Sequence, residues 1–333
     1  MRLVAVNLAA TVLLASGPAG ARRRPVVVQI YDGFGTPLQA RVWGRVLEDE
    51  GQPPPRAGDG WYRKLKRNVK ALESDELPRA VVQIQVLDRK QRVVADDEGL
   101  FEVQLKGPLP QGTHAVSAQF VADRKGKQHR FRVEGGKLMV WPASGLAVIS
   151  DIDDTVLRTG VGNKLKMARR VMTTSALDLE TYPGAPALYR AWHRRGYPIV
   201  FVSGSPVNLY LKLSAFLAHR KFPRAPLMLK DFGLKDLTEQ KAYKLGQIAR
   251  VVQLLPGYCF ILVGDDGEQD PTIYEEVGRR YKGKVELVLI HHVADRPVLG
   301  GQLRFSSYAE AARQLRQRKK IDDAELKQVE QER

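Results

Sequence analysis

From residue 146 onward the sequence repeats one pattern: a short, uninterrupted apolar run, then a stretch long enough for a helix. The runs are 146–150, 198–203, 258–264 and 285–291, and the helix-length stretches are 185–195, 207–220, 243–255 and 271–281. Strands without polar alternation, separated by helices, are what a parallel sheet covered on both faces requires. The second half of the chain is therefore predicted to be an α/β domain, 146–303, of doubly covered parallel-sheet type. Ligands of such sheets bind beyond the carboxyl ends of the strands. Residues 227–231 read either as a further core strand or as part of the rim around that site.

The segment before it has another grammar. Residues 26–31 and 40–47 read as strands, as do 81–87, 100–105 and 113–121, with turn clusters such as Asp32-Gly33-Phe34-Gly35 between them. Short strands at this spacing predict an Ig-like β-sandwich over 25–142. One helix is expected near 61–76, where Trp61, Leu65, Val69 and Leu72 recur at helical intervals. Residues 1–21 carry Arg2, an apolar run and Ala19-Gly20-Ala21, the layout of a cleaved export signal and hence of a periplasmic or exported protein, with a cytoplasmic one as the alternative. Residues 304–333 read as a charged helical tail. The single cysteine, Cys259, excludes an internal disulfide. Fifty-three Lys and Arg against 37 Asp and Glu give a net charge of +16. That balance favours anionic partners: phosphate esters or an acidic membrane surface. The basic residues lack the aromatic interleaving of single-strand binders, so nucleic acid is not expected, and no obligate protein partner is evident.

The chemistry lies in the residues at the carboxyl end of each strand. The first run ends in Ser150-Asp151-Ile152-Asp153-Asp154-Thr155, the second in Ser203-Gly204-Ser205-Pro206, and the third in Gly264-Asp265-Asp266-Gly267-Glu268-Gln269-Asp270; Lys244 opens the helix before the third. Each string alone is ordinary loop chemistry. Their joint order puts several carboxylates and an ammonium on one rim, where like charges repel unless a cation lies among them. Hard carboxylate oxygens suit Mg²⁺. Asp151 is placed as a nucleophile and Asp153 as a general acid/base on the same side. Thr155 would tie the loop by hydrogen bonds. Ser203 and the Gly204 backbone would donate to a phosphoryl oxygen, and Lys244 would neutralise the phosphate. The metal set reads as Asp151, Asp153, Asp265 and Asp270, with Asp266 the alternative to Asp270 in the outer position.

These strings resemble the four motifs of the haloacid-dehalogenase superfamily. SDIDDTV, Tyr182-Pro183-Gly184, FVSGSP, LKDFG and VGDDGEQDP resemble, more closely, the catalytic domain of the actin-patch-associated phosphatidate phosphatase family of fungi and bacteria. The resemblance covers about residues 146–296 and implies a Rossmann-like fold and Mg²⁺-dependent removal of phosphate from phosphatidate, leaving diacylglycerol. It implies Asp151 as nucleophile, Asp153 as acid/base, Ser203 and Lys244 as phosphate ligands, and Asp265 and Asp270 at the metal. Asp266 replaces a serine usual in the family, and Tyr243 a common histidine. A soluble phosphate ester as substrate, or a non-catalytic envelope-binding protein that retains a phosphate site, are the alternatives. The basic-apolar stretch from Arg158 to Met172 reads as a lip over the site or as a surface helix, and His291 and His292 end the last strand within reach of it.

Overall fold

The computed structural model describes residues 25–49, 76–159, 174–230, 239–294 and 296–332. The expected export signal, the helix near 61–76, most of the proposed lip and the end of the LKDFG string lie outside the described residues. Two compact units divide at Pro142 and Ala143.

The described part of the first unit holds nine strands in one hydrogen-bonded network. They are β1 (Val26–Ile30), β2 (Gly33–Thr36), β3 (Gln39–Glu48), β4 (Val81–Val86), β5 (Arg89–Val94), β6 (Leu100–Lys106), β7 (Gly112–Ala122), β8 (Phe131–Glu134) and β9 (Lys137–Val140). Alternate residues of β4, β6 and β7 point inward, and Val82, Ile84, Phe101, Val103 and Phe120 share one core with Val26, Val28 and Val42. The two ends of the network therefore face each other as the layers of a sandwich. Pairing is mostly antiparallel, but β1–β8 and β2–β9 run parallel.

Of the cluster at 32–35, expected to be a turn, Gly33-Phe34-Gly35 instead begin β2 and Asp32 precedes it, and all four residues are buried. Its glycines are there for proximity. A Cβ on Gly33 would lie 2.3 Å from the Arg41 carbonyl oxygen, and one on Gly35 would lie 2.1 Å from that of Gln39.

The second unit is built on a six-stranded, all-parallel sheet. Its strands are β10 (Ser144–Ser150), β11 (Ile199–Pro206), β12 (Leu227–Lys230), β13 (Gly257–Asp265), β14 (Val285–His291) and β15 (Leu303–Phe305). They lie in the order β12-β11-β10-β13-β14-β15. Four helices accompany the motifs: α1 (Ala185–Arg194), α2 (Tyr210–His219), α3 (Glu239–Leu254) and α4 (Asp270–Arg280). The apolar stretches of the central strands are buried, Ile199–Ser203 of β11 and Phe260–Asp265 of β13 without a break, as the continuous apolar runs require.

Two expectations are corrected here. Lys244 does not open its helix but sits more than a turn inside α3. The segment from 304 is not a solvated tail. It contributes β15, then α5 (Tyr308–Gln317) and α6 (Asp323–Gln331), and Phe305, Tyr308, Leu315 and Ile321 are each at most 2% exposed. Several of its charges are paired, Arg313 with Glu330, Arg316 with Asp323 and Arg195 with the buried Glu325, while its apolar stripe is inside. Glu332 accepts from the Ala187 backbone N–H at 2.5 Å and pairs with Arg190 at 2.5 Å, satisfying a first-turn amide of α1 that has no side-chain cap of its own. Among the described residues, no helix is long and apolar enough to cross a membrane.

Candidate active site

Parallel pairing brings the carboxyl ends of β10, β11, β13 and β14 to one rim. The loop after β10 starts at once, because the Asp151 N–H donates to Val263 O at 2.9 Å and Val156 and Leu157 N–H both return to Ile152 O. Asp154 holds the tight turn with φ = 50°, a left-handed conformation that Asp tolerates better than most residues. Its Oδ1 accepts from Thr159 N–H (3.0 Å) and Tyr182 Oη–H (3.2 Å), and its carbonyl lies 2.7 Å from His291 Nδ1. Since a carbonyl only accepts, His291 carries its proton on Nδ1. Burial pushes its pKa down. His291 thus supports the loop from beneath.

Asp151, Asp265 and Asp270 converge, each offering a carboxylate oxygen within 4.8 Å of the others. Lys244 reaches the same point, its Nζ 3.0 Å from Asp151 Oδ1, 2.6 Å from Asp270 Oδ1 and 3.4 Å from Glu268 Oε2. All four of Asp151, Lys244, Asp265 and Asp270 are buried, at 1% exposure or less. Gly264 makes this approach possible, because a Cβ there would lie 2.3 Å from Asp270 Oδ2. The Asp265 loop is closed by its own Oδ1, which accepts from Gly267 and Glu268 N–H at 2.7 and 3.1 Å.

The electrostatics are unfavourable for the protein alone. Burial pushes the carboxyls of Asp151, Asp265 and Asp270 above the usual carboxylate range, and Lys244 pulls them only part of the way back. Burial opposes the Lys244 charge too, but Asp151 and Asp270 outweigh it and keep the ammonium protonated. Three acids, with Glu268 at the edge, thus share one cation. Asp151 Oδ2 and Asp265 Oδ2 are buried and accept no hydrogen bond among the described residues. Two orphaned hard oxygens beside a third carboxylate fit a divalent cation such as Mg²⁺.

Asp153 is not one of the three convergent acids: its Oδ2 accepts from Ser205 Oγ at 2.7 Å and Ser203 Oγ at 3.1 Å on the β11 side, while its Oδ1 is buried and accepts no hydrogen bond among the described residues. Burial pushes its pKa up to about 6, the Ser205 hydroxyl drawing it back. Ser203 in turn accepts from Ser205 N–H at 2.9 Å. Thr155 does not tie the loop through its side chain either: its Oγ1 is buried and unpaired among the described residues, and its carbonyl is held instead, by Tyr308 Oη–H at 2.8 Å.

Asp266 is separated from Asp270 in role. It accepts from Val293 and Ala294 N–H, both at 2.7 Å, and meets His292 Nδ1 at 2.8 Å and Arg304 at 3.2 Å. It anchors the turn after β14, so Asp270 is the acid that joins the convergent group. Residues with no role expected from the sequence also build the site: Ser205 and Glu268, one or two positions from assigned motif residues, and Tyr182, Tyr189, Tyr274 and Tyr308. Tyr274 Oη–H donates to Val263 O at 2.8 Å, the same carbonyl that receives the Asp151 N–H. For Ser205 and Glu268 the signal was adjacency, and for Tyr182 its place in the Tyr182-Pro183-Gly184 string; for Tyr189, Tyr274 and Tyr308 there was none beyond helical periodicity.

The resemblance carried by the motifs is borne out. Residues 146–292 match the family model described as phosphatidate phosphatase APP1, catalytic domain. The phosphatidate phosphatase APP1 of Saccharomyces cerevisiae is 30% identical over 154 residues, which are 44% of this chain and 26% of the yeast protein. An uncharacterised Schizosaccharomyces pombe protein is 29% identical over 154 residues, 45% of this chain and 26% of its own length. The chain thus spans about a quarter of the length of these relatives. Among solved structures, a phosphoserine phosphatase from T. onnurineus aligns with TM-score 0.31 and 13% identity over 51% of this chain and 93% of that one, a likeness too loose to bear on function.

Proposed function

We propose that this chain is a Mg²⁺-dependent phosphomonoesterase that works through an aspartyl-phosphate on Asp151, with phosphatidate as substrate. One observation carries the chemistry: a buried carboxylate with an unpaired oxygen, Asp151 Oδ2, stands beside a buried ammonium and two further acids at the carboxyl ends of a parallel sheet.

In this reading a carboxylate oxygen of Asp151 attacks phosphorus, the ester P–O bond breaks, and the leaving alkoxide takes a proton from Asp153. A water then attacks the same phosphorus, Asp153 takes its proton, and the P–O bond to Asp151 breaks. Ser203 and Ser205 hold Asp153 from one side throughout. Lys244 keeps Asp151 oriented through its 3.0 Å contact and offsets phosphoryl charge. Asp151, Asp265 and Asp270 would hold Mg²⁺, which supplies positive charge where phosphoryl oxygens meet carboxylates.

Phosphatidate is supported by the family match over 146–292 and by the yeast relative. A net charge of +16 also suits work at an anionic lipid surface. The test is phosphate release from short-chain phosphatidate and from a panel of soluble phosphomonoesters, with and without Mg²⁺. Preference for phosphatidate and loss of all turnover in Asp151→Asn are expected. Preference for a soluble ester overturns the substrate; undiminished turnover in Asp151→Asn overturns the mechanism.

A further inference from the structure

Asp151 and Thr155 mark the two ends of the nucleophile loop, and both of their carbonyls are held by buried hydroxyls. Ser150 Oγ–H donates to Asp151 O at 2.7 Å, and Tyr308 Oη–H donates to Thr155 O at 2.8 Å. Between these anchors stands Tyr189, whose hydroxyl lies 2.6 Å from Ser150 Oγ and whose ring packs against that of Tyr308 with centroids 6.5 Å apart. Ser150, Thr155, Tyr189 and Tyr308 are at most 1% exposed. Each hydroxyl has a single proton. Ser150 and Tyr308 direct theirs to the loop, so Tyr189 is the donor in its contact with Ser150 Oγ.

The loop is therefore held at both ends, by Ser150 with Tyr189 of α1 at Asp151 and by Tyr308, at the start of α5, at Thr155. Tyr308 lies 153 positions from Thr155 and beyond residue 292, where the family match stops. Its ring is fixed independently of its hydroxyl, packed against Phe305 (centroids 5.3 Å), His291 (6.0 Å) and Tyr189 (6.5 Å). His291 in turn touches the loop at Asp154 O. A ring that well seated needs no hydroxyl to stay in place, and burying one costs free energy unless it is bonded. Here the bond it makes is to the loop.

We propose that Tyr308 is a positioning residue: from the C-terminal segment, and acting with Tyr189 and Ser150, it holds the Asp151–Thr155 loop so that the Asp151 carboxylate is presented in one orientation. The inference rests on the phosphatase reading for its kinetic consequence but not for its structural one. A misplacement of order 1 Å at a reacting group costs about 100-fold in rate, and one lost tether of several predicts part of that.

Tyr308→Phe in the full chain keeps the ring and removes the tether. Phosphate release by this variant is expected to show kcat reduced about tenfold with KM within about twofold of the parent. Tyr189→Phe, which unties Ser150 at the other end of the loop, is expected to reduce kcat as well, and the double variant to reduce it further, because the two hydroxyls act on separate carbonyls. Amide hydrogen exchange of residues 152–157, measured without substrate or metal, is expected to quicken in Tyr308→Phe while exchange in β13 stays as in the parent. Unchanged kcat, or a rise in KM that accounts for the loss, would overturn the positioning role, as would unchanged exchange in the loop. If the parent chain hydrolyses no phosphomonoester, the phosphatase reading falls, and the exchange measurement alone still decides whether Tyr308 orders the loop.

Discussion

At the scale of single residues, the site is a place where the fold accepts a cost. Asp151 is held above the usual carboxylate range chiefly by burial, with Asp270, Glu268 and Asp265 adding repulsion against the pull of Lys244. Asp151→Asn removes a charge that burial disfavours, so the metal-free variant is expected to melt at or above the parent's temperature while turnover is lost, a pairing that scanning calorimetry and phosphate release check together. Lys244→Met does the reverse. It leaves Asp151 and Asp270 without their common partner, and stripping one member from a buried ionic group costs about 3–5 kcal/mol, read as a lower urea midpoint. Gly264→Ala sets a methyl group 2.3 Å from Asp270 Oδ2; overpacking of this kind costs about 1–3 kcal/mol and is expected to displace Asp270 from Lys244 and reduce turnover. Much of this site was legible, because Asp151 and Asp265 directly succeed apolar runs, Asp270 borders the next helix-length stretch, and the order of the strings is informative. The direction of each side chain was not. Asp153 is two positions from Asp151, yet it stands outside the convergent three and its Oδ2 meets Ser205 and Ser203 on the β11 side, and nothing in the string SGSP announces that.

At the scale of elements, what the sequence hid was short or long-range. β15 is three residues, Leu303–Phe305, too brief to show a period, and it joins the sheet only because β14 offers a parallel edge. The parallel pairs β1–β8 and β2–β9 likewise depend on strands about a hundred residues apart. The long strands and the four helices beside the motifs were legible for the opposite reason: their apolar pattern extends over several turns or over a whole buried strand. The link from β7 to β8 offers a test of local electrostatics. Asp123 accepts from Lys125 and Lys127 N–H at 2.8 and 2.9 Å and meets His129 Nε2 at 2.9 Å. Burial works against its charge, but the His129 contact and the two amides prevail and hold its pKa at about 2. A carboxyl lowered in the fold contributes stability that is complete above the ordinary value of 3.8 and disappears as pH falls toward 2. Asp123→Asn is therefore expected to be less stable than the parent at about pH 6 and to approach it at about pH 2, by urea unfolding at both values.

At the scale of the whole molecule, two units each carry a core of their own, and the convergent acids belong to the second. Mg²⁺ that binds only the folded site stabilises it by about 2.7 kcal/mol at a hundred times its dissociation constant. Calorimetry of the full chain is expected to show that gain in the transition of the second unit, with the sandwich transition unmoved and the gain absent in Asp265→Asn; equal shifts in both transitions would contradict it. The way β15 and Tyr308 complete the second unit also bears on any effort to borrow its catalytic apparatus. A graft of residues 146–292 would carry every acid and the lysine to a new host. It would also arrive with one flank of β14 stripped of its neighbour, an invitation to pair with other copies, and with the far anchor of its reactive loop left behind.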